Sequence, residues 1–416
     1  MRFQKLVTTA ALLLIGAGVS GCARGGYGFG PIPQGSSGGV PAPVGGGAPT
    51  PRPACRSALK TVPDPQAPHG LYVWIDSLEQ TKNQPAILQY LPKDANLCGA
   101  SIVVFWSAVD RGPAASPQYD FAAVESAIQP WASAGKLVNL LFANVNETGT
   151  SDTATPAWVL AQTGANKVNS VACPDPGSGQ NAGPPTPVYW ETGFEKPYRA
   201  FIKAVIAAYG GDPRIGYMRF GVGPGAEDFV AHGADGACLA KWQAYGLSAR
   251  SWATYSIAQV NYVASLHSKA QQLVALNTFD DVAQPYDVPD AVASAAAAAG
   301  IGFGTENLGS GSFVRSSTPC ADVSPVPYWC AAFAAHAAKV PLQFQTISYT
   351  LDPSLPNIPQ LPALLPYGIT NHAQIFELYP QDWLTADDSA YASYAAHHGA
   401  WLKALTSAAA LLGGSP

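Results

Sequence analysis

The chain has 416 residues, of which 48% are hydrophobic and 12% charged, and its formal net charge is −5 at pH 7. A weakly acidic chain with few lysines and arginines does not invite a nucleic-acid partner, and none is expected. The length, less a leader and tail, suits one large α/β barrel or two ordinary domains.

Residues 1–21 form the first predicted segment. Arg2 and Lys5 lead an apolar stretch too short to span about 30 Å of hydrocarbon, which fits a cleaved export signal. The stretch ends in Val19-Ser20-Gly21-Cys22, which resembles the bacterial lipobox. That resemblance implies lipidation at Cys22 and makes the membrane a partner through the anchor. In the resembling system an aspartate after the cysteine retains a protein at the inner membrane. Ala23 stands there, so the resemblance implies an exported protein held in the cell envelope, at the outer membrane where a cell has two. Residues 22–54 are dense in Gly, Pro and Ser and read as a flexible, lipid-anchored spacer, leaving residues 55–416 as the folded domain.

With Cys22 assigned to lipid, six cysteines remain for an oxidising compartment: Cys55, Cys98, Cys173, Cys238, Cys320 and Cys330. Many pairings are open to six cysteines, and sequential pairing fits the topology below. No C-x-x-C pair and no H-E-x-x-H occurs, and His397-His398 fall in a predicted terminal helix, so no metal site is expected.

From residue 66 short apolar runs alternate with helical patterns, as in repeated βα units around a parallel sheet. Buried parallel strands are nearly continuous apolar runs. The candidates are Leu71–Ile75, Ile102–Trp106, Leu137–Phe142, Ile215–Phe220, Leu273–Asn277, Ile301–Phe303, Leu342–Ile347 and Gln374–Leu378. Helical patterns are clearest at Phe121–Ala134, Tyr198–Tyr209, Leu239–Gln271, Asp290–Ala299 and Tyr391–Leu411. Eight such units predict an α/β fold of the (β/α)8, or TIM-barrel, kind, with a doubly wound sheet as the alternative.

Several segments between Gly70 and Asp228 carry a resemblance. In order they are IVVFWSAVD at the second strand, Tyr119-Asp120-Phe121 before a helix, Gly135-Lys136 before the third strand, Thr155-Pro156-Ala157-Trp158 in the next loop, and Asp212-Pro213-Arg214-Ile215 before the fourth. The order and spacing resemble the retaining glycoside hydrolases of the clan A type, including cellulase-like and β-galactosidase-like families. The resemblance implies an acid/base glutamate just beyond the fourth strand and a nucleophilic glutamate at the end of the seventh. Glu227 matches the first, although Ala226 replaces the asparagine that usually precedes it. Gln345 occupies the second position, and an amide cannot serve as a nucleophilic carboxylate.

Retaining hydrolysis needs two carboxyl groups about 5–5.5 Å apart, whereas inversion uses a gap of about 6.5–9.5 Å. Glu306 after the sixth strand and Glu377 at the eighth are the other carboxylates at strand ends, and Glu227 with Glu306 is the expected catalytic pair. A buried pair with Arg219 or a lysine is the alternative reading of Glu377. Asp76, Trp106, Trp158, Gln345, Glu377, Tyr379 and Trp383 are the expected substrate-binding residues, since aromatic rings pack on the apolar faces of sugars while polar groups take their hydroxyls. No G-x-S-x-G elbow and no phosphate-binding loop is present, and no cofactor is expected. Two functions follow: hydrolysis of an extracellular or envelope polysaccharide, or a barrel that binds a glycan or envelope partner without turnover.

Overall fold

The computed structural model describes residues 55, 68–145, 154–173, 185–230, 236–277, 287–309, 328–355, 358–387 and 392–412. Its centre is a ring of parallel strands: β1 Gly70–Ile75, β2 Leu97–Phe105, β3 Leu137–Ala143, β4 Ile215–Phe220, β5 Gln271–Leu276, β6 Gly302–Leu308, β7 Leu342–Thr346 and β8 Ile375–Leu378. Neighbours in sequence pair in order, and β1 pairs with β8 from Gly70↔Ile375 to Val73↔Leu378, which closes the cylinder. The α/β fold is therefore the (β/α)8 barrel.

Every strand is apolar on its outward face because helices cover it. Leu71, Val73, Ile102, Val104, Leu140, Phe142, Met218 and Phe220 point into the layer between strands and helices. The alternate positions Tyr72, Trp74, Val103, Leu141, Tyr217, Leu273 and Ile375 fill the cylinder. The helix Thr192–Tyr209 shows how the outer layer is built: Phe194, Tyr198, Phe201, Ile202, Val205 and Tyr209 recur at three- and four-residue steps and are all buried.

Two predicted helices differ in detail. The pattern over Leu239–Gln271 folds as two helices, Gly236–Gln243 and Ala249–Ser265. Gly246, at φ +85°, ends the first, and a capping box between Ser248 and Ser251 starts the second. The terminal pattern becomes a 3₁₀ turn, Ala392–His397, followed by the helix His398–Leu411; Tyr391 lies outside the described residues.

Strand β4 is interrupted rather than ended. After Phe220 the chain loops out through Gly221–Ala226, with positive φ at Gly225 and Ala226, and rejoins the sheet as Glu227–Asp228 beside Ala275 and Leu276 of β5. Gly223 permits the loop: its N–H donates to the Glu227 carbonyl at 2.8 Å, and a Cβ there would sit 1.9 Å from the Phe229 carbonyl oxygen.

Disulfides join Cys55 to Cys98 and Cys173 to Cys238, as sequential pairing predicts, and they fit a chain that folds outside the reducing cytoplasm. Cys320, the side chain of Cys330, the leader, Cys22 and the spacer lie outside the described residues. Among the described residues no helix is long and apolar enough to cross a membrane.

Candidate active site

The cylinder is not filled by hydrocarbon alone. Ser101 of β2, Asn139 of β3, Tyr217 and Arg219 of β4, Glu306 of β6, Gln343 and Gln345 of β7 and Glu377 of β8 are all buried. Asn139 Nδ2 donates to Ser101 Oγ at 3.0 Å, Ser101 Oγ lies 3.2 Å from the Tyr217 hydroxyl, and that hydroxyl donates to Glu377 Oε1. Gln343 Nε2 donates to Glu377 Oε2 at 2.7 Å. The chain of bonds satisfies groups that would otherwise cost several kcal/mol each to bury.

Arg219 is the cation of this interior and has no exposed surface. Its guanidinium lies over Trp74, 5.4 Å from the ring centroid; Nη2 donates to Glu306 Oε1, and Nη1 stands 3.8 Å from Glu377 Oε2. One buried cation neutralises one carboxylate at close range. The direct bond makes Glu306 the ionised partner, while burial pushes Glu377 up to about 8, against the pull of a hydrogen bond from Ser101. Arg219 and Glu306 therefore form the ion pair of this interior, and Glu377 is held toward its protonated form. Glu306 and Glu377 thus flank the same arginine, Glu306 in direct contact and Glu377 at the longer distance.

Glu227 reaches the same interior by alternation. Asp228 faces outward, where Ser256 of the helix Ala249–Ser265 donates to its carboxylate at 2.7 Å and burial raises it to about 7. Glu227, its neighbour in the strand, takes the opposite face and is 3% exposed. Glu227 pairs with Ala275, Ala275 pairs with Gly304, and Glu306 lies two residues beyond Gly304 on the inward face. Across the sheet the two residues are two strand spacings apart, about 10 Å, and Glu306 stands two residues further along its strand, both at the C-terminal rim of the cylinder.

The other expected residues divide. Gln345 is buried on β7, in register with Glu377. Tyr379 follows β8 and packs in the interior cluster, its hydroxyl donating to the Ile347 carbonyl at 3.5 Å. Asp76 is partly buried just beyond β1, its N–H donating to Gln80 Oε1 at 2.8 Å; the residue preceding the helix Gln80–Asn83 is Glu79, so Asp76 is not that helix's cap.

Two tryptophans, Trp106 and Trp383, correct the expectation of a groove lining, while Trp158 stays partly exposed. Trp106 is fully buried in the outer layer, 5.3 Å from Tyr198 and 5.8 Å from Phe201, and its Nε1 donates to Asp110 at 3.0 Å. Trp106 follows Ile102 and Val104 in the outward register of β2, while Val103 takes the inward one. Trp383 is equally buried in the outer layer, and Trp158 packs on that layer with its ring against Gly112. Trp74 keeps the interior position. What sequence reasoning passed over is the polar network itself, whose signal is a polar residue at alternate positions within apolar runs: Asn139 in LVNLLF, Tyr217 and Arg219 in IGYMRF, Gln343 in LQFQT. Among the described residues no group of three or more His, Cys, Asp or Glu side chains could hold a metal ion.

No protein-family profile matches the chain, and no curated protein sequence does. Solved structures similar to it include the catalytic domain of a beta-amylase from Paenibacillus polymyxa, at 10% identity and TM-score 0.49, covering 74% of this chain and 92% of that one. A beta-galactosidase from Marinomonas ef1 is similar at 11% identity and TM-score 0.45, covering 74% of this chain and 54% of that one. A glycosylated endo-beta-1,4-xylanase of glycoside hydrolase family 10 from Gloeophyllum trabeum is similar at 13% identity and TM-score 0.42, covering 80% and 87%.

Proposed function

We propose that this chain is an exported, lipid-anchored glycoside hydrolase acting on an extracellular or envelope polysaccharide, with Glu227 as general acid and Glu306 as general base. The observation that carries this reading is the placement of two inward-facing, nearly buried carboxyl groups two strands apart at the C-terminal rim, the face where such barrels put their chemistry. Two carboxyl groups that lean inward from strands this far apart suit the wider gap of inversion, about 6.5–9.5 Å, better than the retaining one.

The roles follow from the electrostatics. Arg219 favours the ionised form of Glu306, which a base that activates water requires. Glu227 delivers its proton to the leaving oxygen as the glycosidic bond breaks, and water attacks the opposite face of the sugar ring. No cofactor enters this scheme. Gln345 stands where a retaining nucleophile would be, so the proposal is inversion. Asp76, Tyr379 and Trp74 are the side chains proposed to meet the sugar.

The test is reducing-end release from a panel of polysaccharides, with the anomer of the first product read by NMR. Glu227→Gln should lower turnover by about 10²–10⁴-fold while leaving the fold and ligand affinity in place, and Glu306→Gln should lower it as far but also destabilise the fold, because it leaves the buried Arg219 without its carboxylate. Full turnover in Glu227→Gln rejects the assignment. Tight glycan binding by the unmodified chain with no hydrolysis would support the binding reading instead.

A further inference from the structure

The polypeptide enters the barrel at the pole opposite the candidate site. Cys55 is bridged to Cys98 at the foot of β2, and its carbonyl accepts the His69 N–H at 3.3 Å just before β1 begins. Residues 23–54 therefore join the domain at the N-terminal rim, while Glu227 and Glu306 occupy the other end of the cylinder.

Charge on that rim is one-sided. Lys93, Lys269 and Lys339, in the segments that lead into β2, β5 and β7, are exposed. Lys203 is exposed as well and lines, with Lys269 and His267, a cleft of about 340 Å³. The carboxylates of the rim are engaged: Arg214 holds Asp212 at 2.6 Å and Glu125 at 2.9 Å, and Asp387 is hydrogen-bonded to Asp94 beside Lys136. The ends of helices account for some lysines there, since a cation offsets the negative end of a helix dipole. That effect does not explain why the tether joins at the same pole.

We propose that the N-terminal rim is a membrane-apposed face that lies against anionic lipid headgroups and points the mouth of the cylinder away from the membrane carrying the anchor. This rests on the lipid-anchor reading of Cys22. A Gly/Pro-rich spacer of this length has an end-to-end distance of about 30 Å, which keeps the rim at millimolar effective concentration near the bilayer. A contribution of roughly fivefold per lysine is then enough to set orientation. The substrate class narrows accordingly, to polymers lying beyond that membrane rather than glycolipids embedded in it.

The probe is vesicle co-sedimentation of the mature chain from residue 22 carrying Cys22→Ser, with phosphatidylcholine vesicles prepared with and without phosphatidylglycerol. Binding should require phosphatidylglycerol and fall with added salt. The double variant Lys203→Glu/Lys269→Glu should lose at least tenfold in binding, while Lys167→Glu/Lys196→Glu, exposed away from the rim, should match the parent. Equal binding to both vesicle types, or equal loss from both double variants, overturns the rim. Uptake of labelled palmitate by the intact chain is the separate check on the anchor. If Cys22 takes up none, the anchor and the orientation argued from it fall together; if Cys22 is lipidated and the two double variants bind alike, only the rim falls.

Discussion

Arg219 is the residue on which the interior of the cylinder depends. Its removal in Arg219→Met leaves Glu306 as a buried carboxylate without a cation, and the expected loss is about 3–5 kcal/mol in urea unfolding. Glu377→Gln should behave differently, because the group already carries a proton below about pH 8 and keeps its bonds to Tyr217 and Gln343. A change under about 1 kcal/mol is expected at pH 6. Losses of equal size in the two variants would mean that Glu377 is ionised, and the division of charge between the two glutamates would be wrong.

At the scale of elements, the break in β4 decides where Glu227 sits. Gly223→Ala forces a side chain against the Phe229 carbonyl, and the expected cost is about 1–3 kcal/mol with a fall in turnover well over tenfold. Parent-like turnover in a destabilised Gly223→Ala would show that the position of Glu227 is not critical. All eight strands were legible in the sequence because a parallel strand covered on both sides has to read as an apolar run, and β4 is found at the predicted bounds, Ile215–Phe220. The helices were legible where one face is apolar, and the single long pattern failed where Gly246 alone marked the break. Side-chain direction follows alternation even past the strand ends: Trp106 keeps the outward register of Ile102 and Val104, and Tyr379 the inward register of Ile375, so the two lie in different layers although each stands one residue past a strand.

For the whole molecule, several carboxyl groups are held above their ordinary range by burial: Asp228 to about 7, Glu377 to about 8, Asp382 to about 6 and Asp387 to about 8. In each case the folded state keeps a proton that the unfolded chain releases near pH 4, so stability is fully present below the unfolded value and is lost as pH rises through the folded one. The free energy of unfolding should therefore decline between about pH 4 and pH 8, by up to about 1.4 kcal/mol per group per pH unit, and the midpoint of thermal unfolding should fall with it. A midpoint that climbs over this interval would place these groups among ordinary ionised carboxylates. The closure of β1 upon β8 carries a consequence for how such a molecule is made. Gly70 finds its partner only at Ile375, so a chain that emerges N-terminus first presents a bare strand margin until nearly all of it has appeared. A polypeptide that stops short of that last strand is left as an open, adhesive sheet. The interval before the seam is sealed is when this protein most needs a holdase.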